Sequence, residues 1–130
     1  MGDPNSNADR RTRGKKLFRE VTQLDDAVEP SDAFLEFTID EVFGDVWSRP
    51  GLTRKERRLI SITAAATSSM PDETSFHLLG ALKSGDLTPD ELIEVILQIA
   101  HYSGWPKAAS AYRALLGHCA TLGLSVTPTK

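Results

Sequence analysis

Two side chains that can exchange protons stand four residues apart in this chain, Glu73 and His77. On a helix, that spacing places both side chains on one face. An imidazole titrates near neutral pH and can donate a proton, and a carboxylate one turn away can orient it. The pair therefore indicates proton-transfer chemistry, although the same spacing is also typical of an ordinary ion pair on a helix surface.

His101 is a second candidate proton donor, because it comes at the end of a strongly apolar segment. An uncharged core histidine is the alternative interpretation of that position. With Glu73 and His77 it would make three metal ligands, but the chain has no tight ligand motif, so we do not predict a metal site. The single cysteine, Cys119, has no second cysteine to pair with, and we expect a semi-buried structural thiol.

Arg57 is the candidate ligand for a substrate carboxylate, since a guanidinium is always charged and can donate two parallel hydrogen bonds. A solvated arginine in the first turn of a helix is the alternative interpretation, and we expect Arg58 to be of that kind. Arg49 is a weaker candidate for the same role. Three aromatic side chains are predicted either to wall a small apolar pocket or to belong to the core: Trp47, Tyr102 and Trp105.

Helices must position these residues, because apolar residues recur at helical spacing and no alternating strand pattern of useful length is present. We therefore predict an all-α protein. A polar helix over 8–21 comes first, and a second helical segment begins at the N-cap Ser31 and ends at Pro50-Gly51. The later helices are predicted after Thr53, over 72–83, from Asp90 to His101, and over 107–122.

Two capping boxes mark helix starts, Thr53-Arg54-Lys55-Glu56 and Thr88-Pro89-Asp90-Glu91. In each, the threonine hydroxyl can accept the glutamate N–H while the glutamate side chain reaches back. Gly85 and the Gly104-Trp105-Pro106 break are predicted to end helices. The helix after Thr88 is apolar on nearly every side, so part of its surface is expected to meet another subunit.

With 130 residues, of which 40% are apolar and 25% charged, the chain is long enough for one hydrophobic core. We divide it into a partly helical N-terminal arm (1–25), a helical domain (26–124) and a tail (125–130). The net charge of −3 argues against a nucleic-acid partner, and the basic cluster over 10–16 is expected to be a solvated helix face. Neither an apolar leader nor an 18-residue apolar run is present, so we expect a cytoplasmic protein and no membrane partner.

Three stretches of the sequence carry a family resemblance. They are Phe43-Gly44-Asp45-Val46-Trp47-Ser48-Arg49-Pro50-Gly51-Leu52; Arg57-Arg58-Leu59-Ile60-Ser61-Ile62 followed by Glu73, His77, Gly80, Ala81 and Gly85; and Glu91, Glu94, Val95 and Gln98 leading to Tyr102-Ser103-Gly104-Trp105-Pro106. In this order and spacing, over about residues 30–120, the chain resembles the carboxymuconolactone decarboxylase family.

The resemblance implies an all-α fold built around a helical hairpin, and a homo-oligomer, commonly a hexamer arranged as a trimer of dimers. One branch of the family, the alkyl hydroperoxide reductase-associated peroxidases, carries Cys-x-x-Cys before the helix histidine. Here those two positions are Met70 and Glu73, so thiol peroxidase activity is not expected. Glu73 and His77 match the other branch, which resembles the lactone decarboxylase of the β-ketoadipate pathway, whereas His101 stands where that branch would have an apolar residue.

The resemblance therefore implies a carboxy-lyase that removes CO2 from a small anionic lactone through a dienolate. No cofactor is expected, because the lactone is itself the electron sink. His77 or His101 would supply the proton and Glu73 would orient it, while Arg57 and the three aromatic residues would hold the substrate. Two alternatives stay open: a homologue that acts on a different unsaturated acid or lactone, and a non-catalytic oligomeric binding protein that keeps the pocket.

Overall fold

The computed structural model describes residues 6–24 and 28–128, and within these ranges it contains helices and no strands. Six α-helices and one π-helix follow one another in the described residues: α1 (Asn7–Thr22), α2 (Ala33–Phe37), the π-helix (Thr38–Val46), α3 (Arg54–Thr67), α4 (Pro71–Ser84), α5 (Pro89–Ser103) and α6 (Trp105–Leu122). The all-α prediction is confirmed.

The chain divides into two compact units, Met1–Thr53 and Arg54–Lys130. The first unit holds α1, α2 and the π-helix, and the second holds α3 to α6. The predicted boundary between arm and domain, at residues 25 and 26, lies outside the described residues. The division into arm, domain and tail therefore stays a prediction.

In the first unit, α1 packs closely against the π-helix because glycine lies at the contact. A Cβ atom built on Gly14 would lie 2.0 Å from the carbonyl oxygen of Ile39, and one on Gly44 would lie 2.8 Å from the Arg10 carbonyl oxygen. Beside this contact, Phe18 meets Phe43 edge to face, with ring centroids 5.1 Å apart. Any larger residue at position 14 would force the two backbones apart.

The basic cluster of α1 is bonded to the π-helix, and the prediction of a solvated face is wrong for Arg10, Arg11 and Arg13. Arg10 donates from Nη2 to Asp45 Oδ2 over 2.7 Å, and Arg11 donates from Nε to Asp40 Oδ1 over the same distance. Those hydrogen bonds hold the pKa of both carboxyls below the ordinary value. The arginines therefore bind α1 to its neighbour.

The predicted second helix differs from the structure at its start and in its type. Asp32, not Ser31, is the N-cap, and its carboxylate accepts the Leu35 N–H at 2.9 Å. Both residues carry a suitable acceptor, so sequence alone does not choose between neighbours. After Phe37 the segment continues as a π-helix, which helical apolar spacing does not distinguish from an α-helix.

In the second unit, the apolar faces of α3 to α6 enclose one core, in which several side chains are fully buried: Ile62, Leu78, Leu92 and Leu115. The capping box at Thr88 is confirmed, with the Thr88 hydroxyl accepting the Glu91 N–H and the Glu91 carboxylate accepting the Thr88 N–H. Cys119 belongs to this core, and its burial raises the pKa of the thiol, as expected of a structural cysteine.

The helices of this unit end close to the glycines that were predicted to end them. Gly85 ends α4 in the left-handed region, at φ +76°, where a residue with a Cβ is strained. Gly104, at φ +106°, ends α5 and begins α6, so α6 starts at Trp105 rather than at Lys107. A proline at the second helical position is compatible with this earlier start, because its missing N–H would have no partner there.

No helix in the described part of the chain is both long and apolar enough to cross a membrane.

The expected homo-hexamer, with part of the α5 surface against another subunit, stays a prediction. On α5, Leu97 is exposed while Leu92 and Ile99 are buried.

The close approach at Gly14 predicts a stability effect. Gly14→Ala should destabilise the first unit by about 1–3 kcal/mol, the usual cost of overpacking, because the Ile39 carbonyl must move. Gly117→Ala is the matched control: it also lies within a helix but has open space around it, so its free energy of unfolding should stay the same or rise by up to about 1 kcal/mol. Urea denaturation measures both, and equal effects would contradict the packing argument.

Candidate active site

Helices α3 and α4 pack together and carry the residues that sequence analysis placed at the centre of the site. Arg57 lies in the first half of α3, and Glu73 and His77 lie on α4. Glu73 is exposed in the first turn of α4, and the His77 ring is half-buried one turn later. The predicted pairing of these two side chains on one helix face agrees with the helical geometry.

The protonation of His77 depends on three features of its surroundings. Burial lowers the pKa of the imidazole below 6.5, the negative charge of Glu73 raises it, and the positive charge of Arg58 lowers it further. Burial and Arg58 together outweigh the carboxylate, so the ring is neutral at pH 7. Phe76 covers it edge to face, with ring centroids 5.8 Å apart.

Arg58 is the main correction to the sequence analysis, which expected a solvated side chain. It is 0% exposed, and its Nε donates to Asp86 Oδ2 over 2.7 Å. Asp86 also accepts from Arg54, whose Nε lies 2.7 Å from the same oxygen. A buried charge is tolerated only with a hydrogen-bonded partner, and Asp86 provides one.

Both arginines lower the pKa of the Asp86 carboxyl. Its partial burial raises the pKa, but the hydrogen bonds and charges of Arg54 and Arg58 outweigh burial and hold the pKa below 3.8. One signal for this arrangement was present in the sequence, since Arg58 stands four and eight residues before Ile62 and Ala66, which form the buried side of α3. The position of Arg58 in that row indicated burial, but a charged residue type argued against it.

Helix α4 is also fixed to α6, through His118, which sequence analysis did not propose as a site residue. The Nε2 atom of His118 lies 3.1 Å from the backbone carbonyl oxygen of Ser75 and 2.8 Å from the Ser75 hydroxyl oxygen. A protonated Nε2 donates to the carbonyl, and in the other tautomer Nε2 accepts from the hydroxyl, so Ser75 can pair with either form of the ring. Since Ser75 is two residues before His77, this contact helps to set where the candidate site lies.

The structure places the remaining candidates on other elements than α3 and α4. His101 is exposed on α5, with its Nδ1 atom 2.8 Å from the Leu97 carbonyl oxygen, so the core-histidine interpretation is wrong. Tyr102 is 83% and Trp105 66% exposed, and neither is a core aromatic. Trp47 belongs to the first unit, where its half-buried ring stacks on Phe43 with centroids 6.1 Å apart.

Three concavities on the described part of the second unit bear on the candidate residues. One of about 280 Å³ lies where α3, α4 and α6 meet, and Met70, Thr74 and Lys107 contribute to its wall. One of about 530 Å³ lies between α3 and α5 and includes Tyr102. One of about 290 Å³ lies between α5 and α6 and includes Trp105. Tyr102 and Trp105 therefore line different concavities, and they do not wall a common pocket.

A metal centre was weighed from Glu73, His77 and His101. Within the described ranges, 6–24 and 28–128, no three His, Cys, Asp or Glu side chains are grouped so that they could hold a metal ion.

The buried ion pair predicts a large stability effect. Asp86→Asn should lower the free energy of unfolding by about 3–5 kcal/mol, because it leaves the buried Arg58 charge without its carboxylate. Asp90→Asn is the control, since Asp90 also accepts two hydrogen bonds, from Thr127, but is exposed, so its cost should be much smaller. Chemical denaturation measures both, and a cost for Asp86→Asn no larger than the control's would contradict the assignment.

The same pair predicts how stability depends on pH. The Asp86 carboxyl has a lower pKa folded than unfolded, so its contribution is complete above the unfolded value and is lost as pH falls through the folded value, below 3.8. Wild-type stability should therefore fall more steeply on acidification than that of Asp86→Asn.

The charges around His77 predict an NMR result. In the free protein the ring should titrate below 6.5, and Glu73→Gln should lower that midpoint further, because it removes the one neighbouring negative charge that raises the pKa. Asp72→Asn, which removes an exposed carboxylate next to Glu73 in sequence, should shift the midpoint less. A midpoint above 6.5, or an equal shift in the two variants, would contradict this account of the site.

Comparison with known proteins identifies the family of the chain. The family model described as the carboxymuconolactone decarboxylase family matches residues 32–116. The 4-carboxymuconolactone decarboxylase of Acinetobacter baylyi is 35% identical over 97 residues, which cover 75% of this chain and 69% of the bacterial protein. The nitrosuccinic acid decarboxylase npaB of Metarhizium robertsii is 34% identical over 76 residues, which cover 58% of this chain and 52% of the fungal protein. The chain belongs to the carboxymuconolactone decarboxylase family.

Proposed function

We propose that this chain is a carboxy-lyase that removes CO2 from a small dicarboxylate of the 4-carboxymuconolactone type, as part of aromatic-compound catabolism. Family membership and the two relatives, both named decarboxylases, support the reaction class. The observation that carries the proposal is the half-buried His77 on α4, one turn from the Glu73 carboxylate and close to the buried Arg58 guanidinium.

The reaction that such a lactone undergoes fixes what the protein must supply. The bond between the ring carbon and its carboxylate breaks, CO2 leaves, and the electron pair moves into the conjugated lactone to give a dienolate. A proton is then added to a ring carbon. The protein must stabilise the charge that develops on the lactone oxygen and deliver that proton.

His77 suits the proton-transfer role. Its ring is neutral at pH 7 in the free protein because burial and Arg58 lower its pKa. A dianionic substrate beside the ring would raise the pKa, so that the imidazole takes up a proton as the substrate binds. That proton is then available to the dienolate carbon, and the carboxylate of Glu73 stabilises the imidazolium in the meantime.

In this proposal, two arginines of α3 have different electrostatic roles. Arg58 is fully buried and held by Asp86, so it acts on the site through its charge and not by touching the substrate. Arg57 is half-buried next to it and is the candidate for direct contact with a carboxylate. Both favour a negative charge that moves from the leaving carboxylate onto the lactone oxygen.

A second substrate is favoured by one specific comparison, the fungal nitrosuccinic acid decarboxylase. Nitrosuccinate is also a dicarboxylate whose departing CO2 leaves its electron pair on a conjugated oxygen acceptor, there a nitro group. Protonation on carbon would then give 3-nitropropanoate. The same imidazole would serve both reactions, so the two substrates belong in one assay.

The direct test is CO2 release by the purified protein from 4-carboxymuconolactone and, separately, from nitrosuccinate. Turnover of the lactone supports the first proposal, and turnover of nitrosuccinate alone supports the second. If neither substrate is turned over but both bind, the non-catalytic binding protein becomes the better interpretation.

Replacement of the proposed proton donor predicts a loss of rate with no loss of fold. His77→Ala should lower kcat by about 10²–10⁴-fold, the usual effect of removing a positioned general acid, while circular dichroism stays that of wild type. His101→Ala is the discriminating partner, because His101 is the other candidate donor. A near wild-type rate for His77→Ala, together with a large loss of rate for His101→Ala, would show that His101 is the proton donor.

A further inference from the structure

The cavity at the α3–α4–α6 junction has the shape and chemistry of a site for a small organic anion. Its volume is about 280 Å³, near the lower end of the roughly 300–1,000 Å³ typical of ligand pockets. Most of its wall is apolar, including Met70, Pro71, Pro106 and Ala111. An uncharged ring can lie against such a wall. An anionic substituent on that ring needs a positively charged partner at the rim of the cavity.

Lys107 provides that partner. Among the described residues that line the cavity it is the one charged side chain, and the polar lining around it consists of hydroxyls such as Ser110. Its Nζ donates to the Thr67 carbonyl oxygen over 2.7 Å, which fixes the ammonium at the end of α3. An ammonium carries three N–H donors, so it can hold this carbonyl and a ligand carboxylate at once.

The cavity also lies close to His77 along α4. Thr74 lines the cavity and is buried, and His77 follows three residues later on the same helix. Side chains three residues apart are neighbours on a helix surface, with Cβ atoms about 5–6 Å apart. His77 does not itself line the cavity, so the reacting end of a ligand would extend from the cavity along α4 toward the imidazole.

We propose that this cavity is the substrate subsite of the decarboxylase, and that Lys107 binds the carboxylate that the substrate keeps. The inference rests on the proposed function. Catalysis requires that interactions with the leaving carboxylate are not stronger in the ground state than in the transition state. A cation placed on the leaving group would hold its charge there and slow the reaction, so the ammonium belongs on the retained carboxylate and the apolar wall beside the ring. With Lys107 in that role, Arg57 would serve the lactone oxygen, where the charge develops, and not the leaving carboxylate.

Binding of an unreactive probe tests the subsite without any turnover. 2-Furylacetate has a five-membered oxygen ring whose carboxylate is on a CH2 attached beside the ring oxygen, where the lactone carries the carboxylate that it keeps. 2-Furylacetamide is its uncharged counterpart. Isothermal titration of the full chain should show that furylacetate binds at least tenfold more tightly than furylacetamide. In the NMR spectrum, furylacetate should shift the backbone amides of Thr74, Lys107 and Ser110.

Three variants separate charge, space and folding. Lys107→Met keeps the apolar stem and should weaken furylacetate binding about tenfold or more, while furylacetamide binding stays unchanged. Lys107→Arg should restore most of the affinity. Ser110→Leu fills the cavity without touching the ammonium and should weaken both probes. Lys83→Met, which removes a charge from the last turn of α4, is the control and should bind furylacetate like wild type.

The outcomes distinguish the subsite from the proposed function. Furylacetate binding that depends on Lys107 in a protein that turns over neither substrate supports the subsite and overturns the function. Turnover of 4-carboxymuconolactone with an unchanged KM in both Lys107→Met and Ser110→Leu overturns the subsite and leaves the function standing. Wild-type protein that fails to bind furylacetate at millimolar concentration, or binds it with shifts away from the cavity, also overturns the subsite.

Discussion

The burial of one positive charge is the constraint on which the second unit depends. Arg58 lies in the row of α3 that also carries Ile62 and Ala66, so its guanidinium points toward the core that those residues help to build. A charge in that position requires a fixed partner, and the turn between α4 and α5 supplies it in Asp86. The turn therefore holds α3 against the end of α4, and the charge that must be neutralised also reaches His77.

Two other polar contacts complete the frame around the candidate site. His118 of α6 contacts α4 through the hydroxyl and the backbone carbonyl of Ser75, and Lys107 of α6 donates to the end of α3 at Thr67. Helix α6 thus bonds to both helices that carry the proposed chemistry. Both contacts reach a backbone carbonyl, and the Lys107 bond involves no second side chain.

The parts of this structure that are local in sequence were predictable, and the parts that depend on contacts across the fold were not. The Thr88 cap, the Gly85 stop and the break at Gly104 need only a few neighbouring residues, and each was placed correctly. The burial of Arg58 depends on Asp86, 28 residues away. The spacing of apolar residues along the sequence does not show that these two side chains pair. The exposure of His101 was missed for a similar reason, since an apolar segment does not show which of its sides the fold covers.

The isolation of Cys119 has a practical consequence. The thiol is buried in the core of the second unit, and burial raises its pKa, so little thiolate is present to react with a maleimide or an iodoacetamide. It is also the single cysteine of the whole sequence. A cysteine introduced on the surface could therefore carry a fluorophore or a spin label selectively, and distances or motions around α4 could be followed in a chain that keeps its natural core.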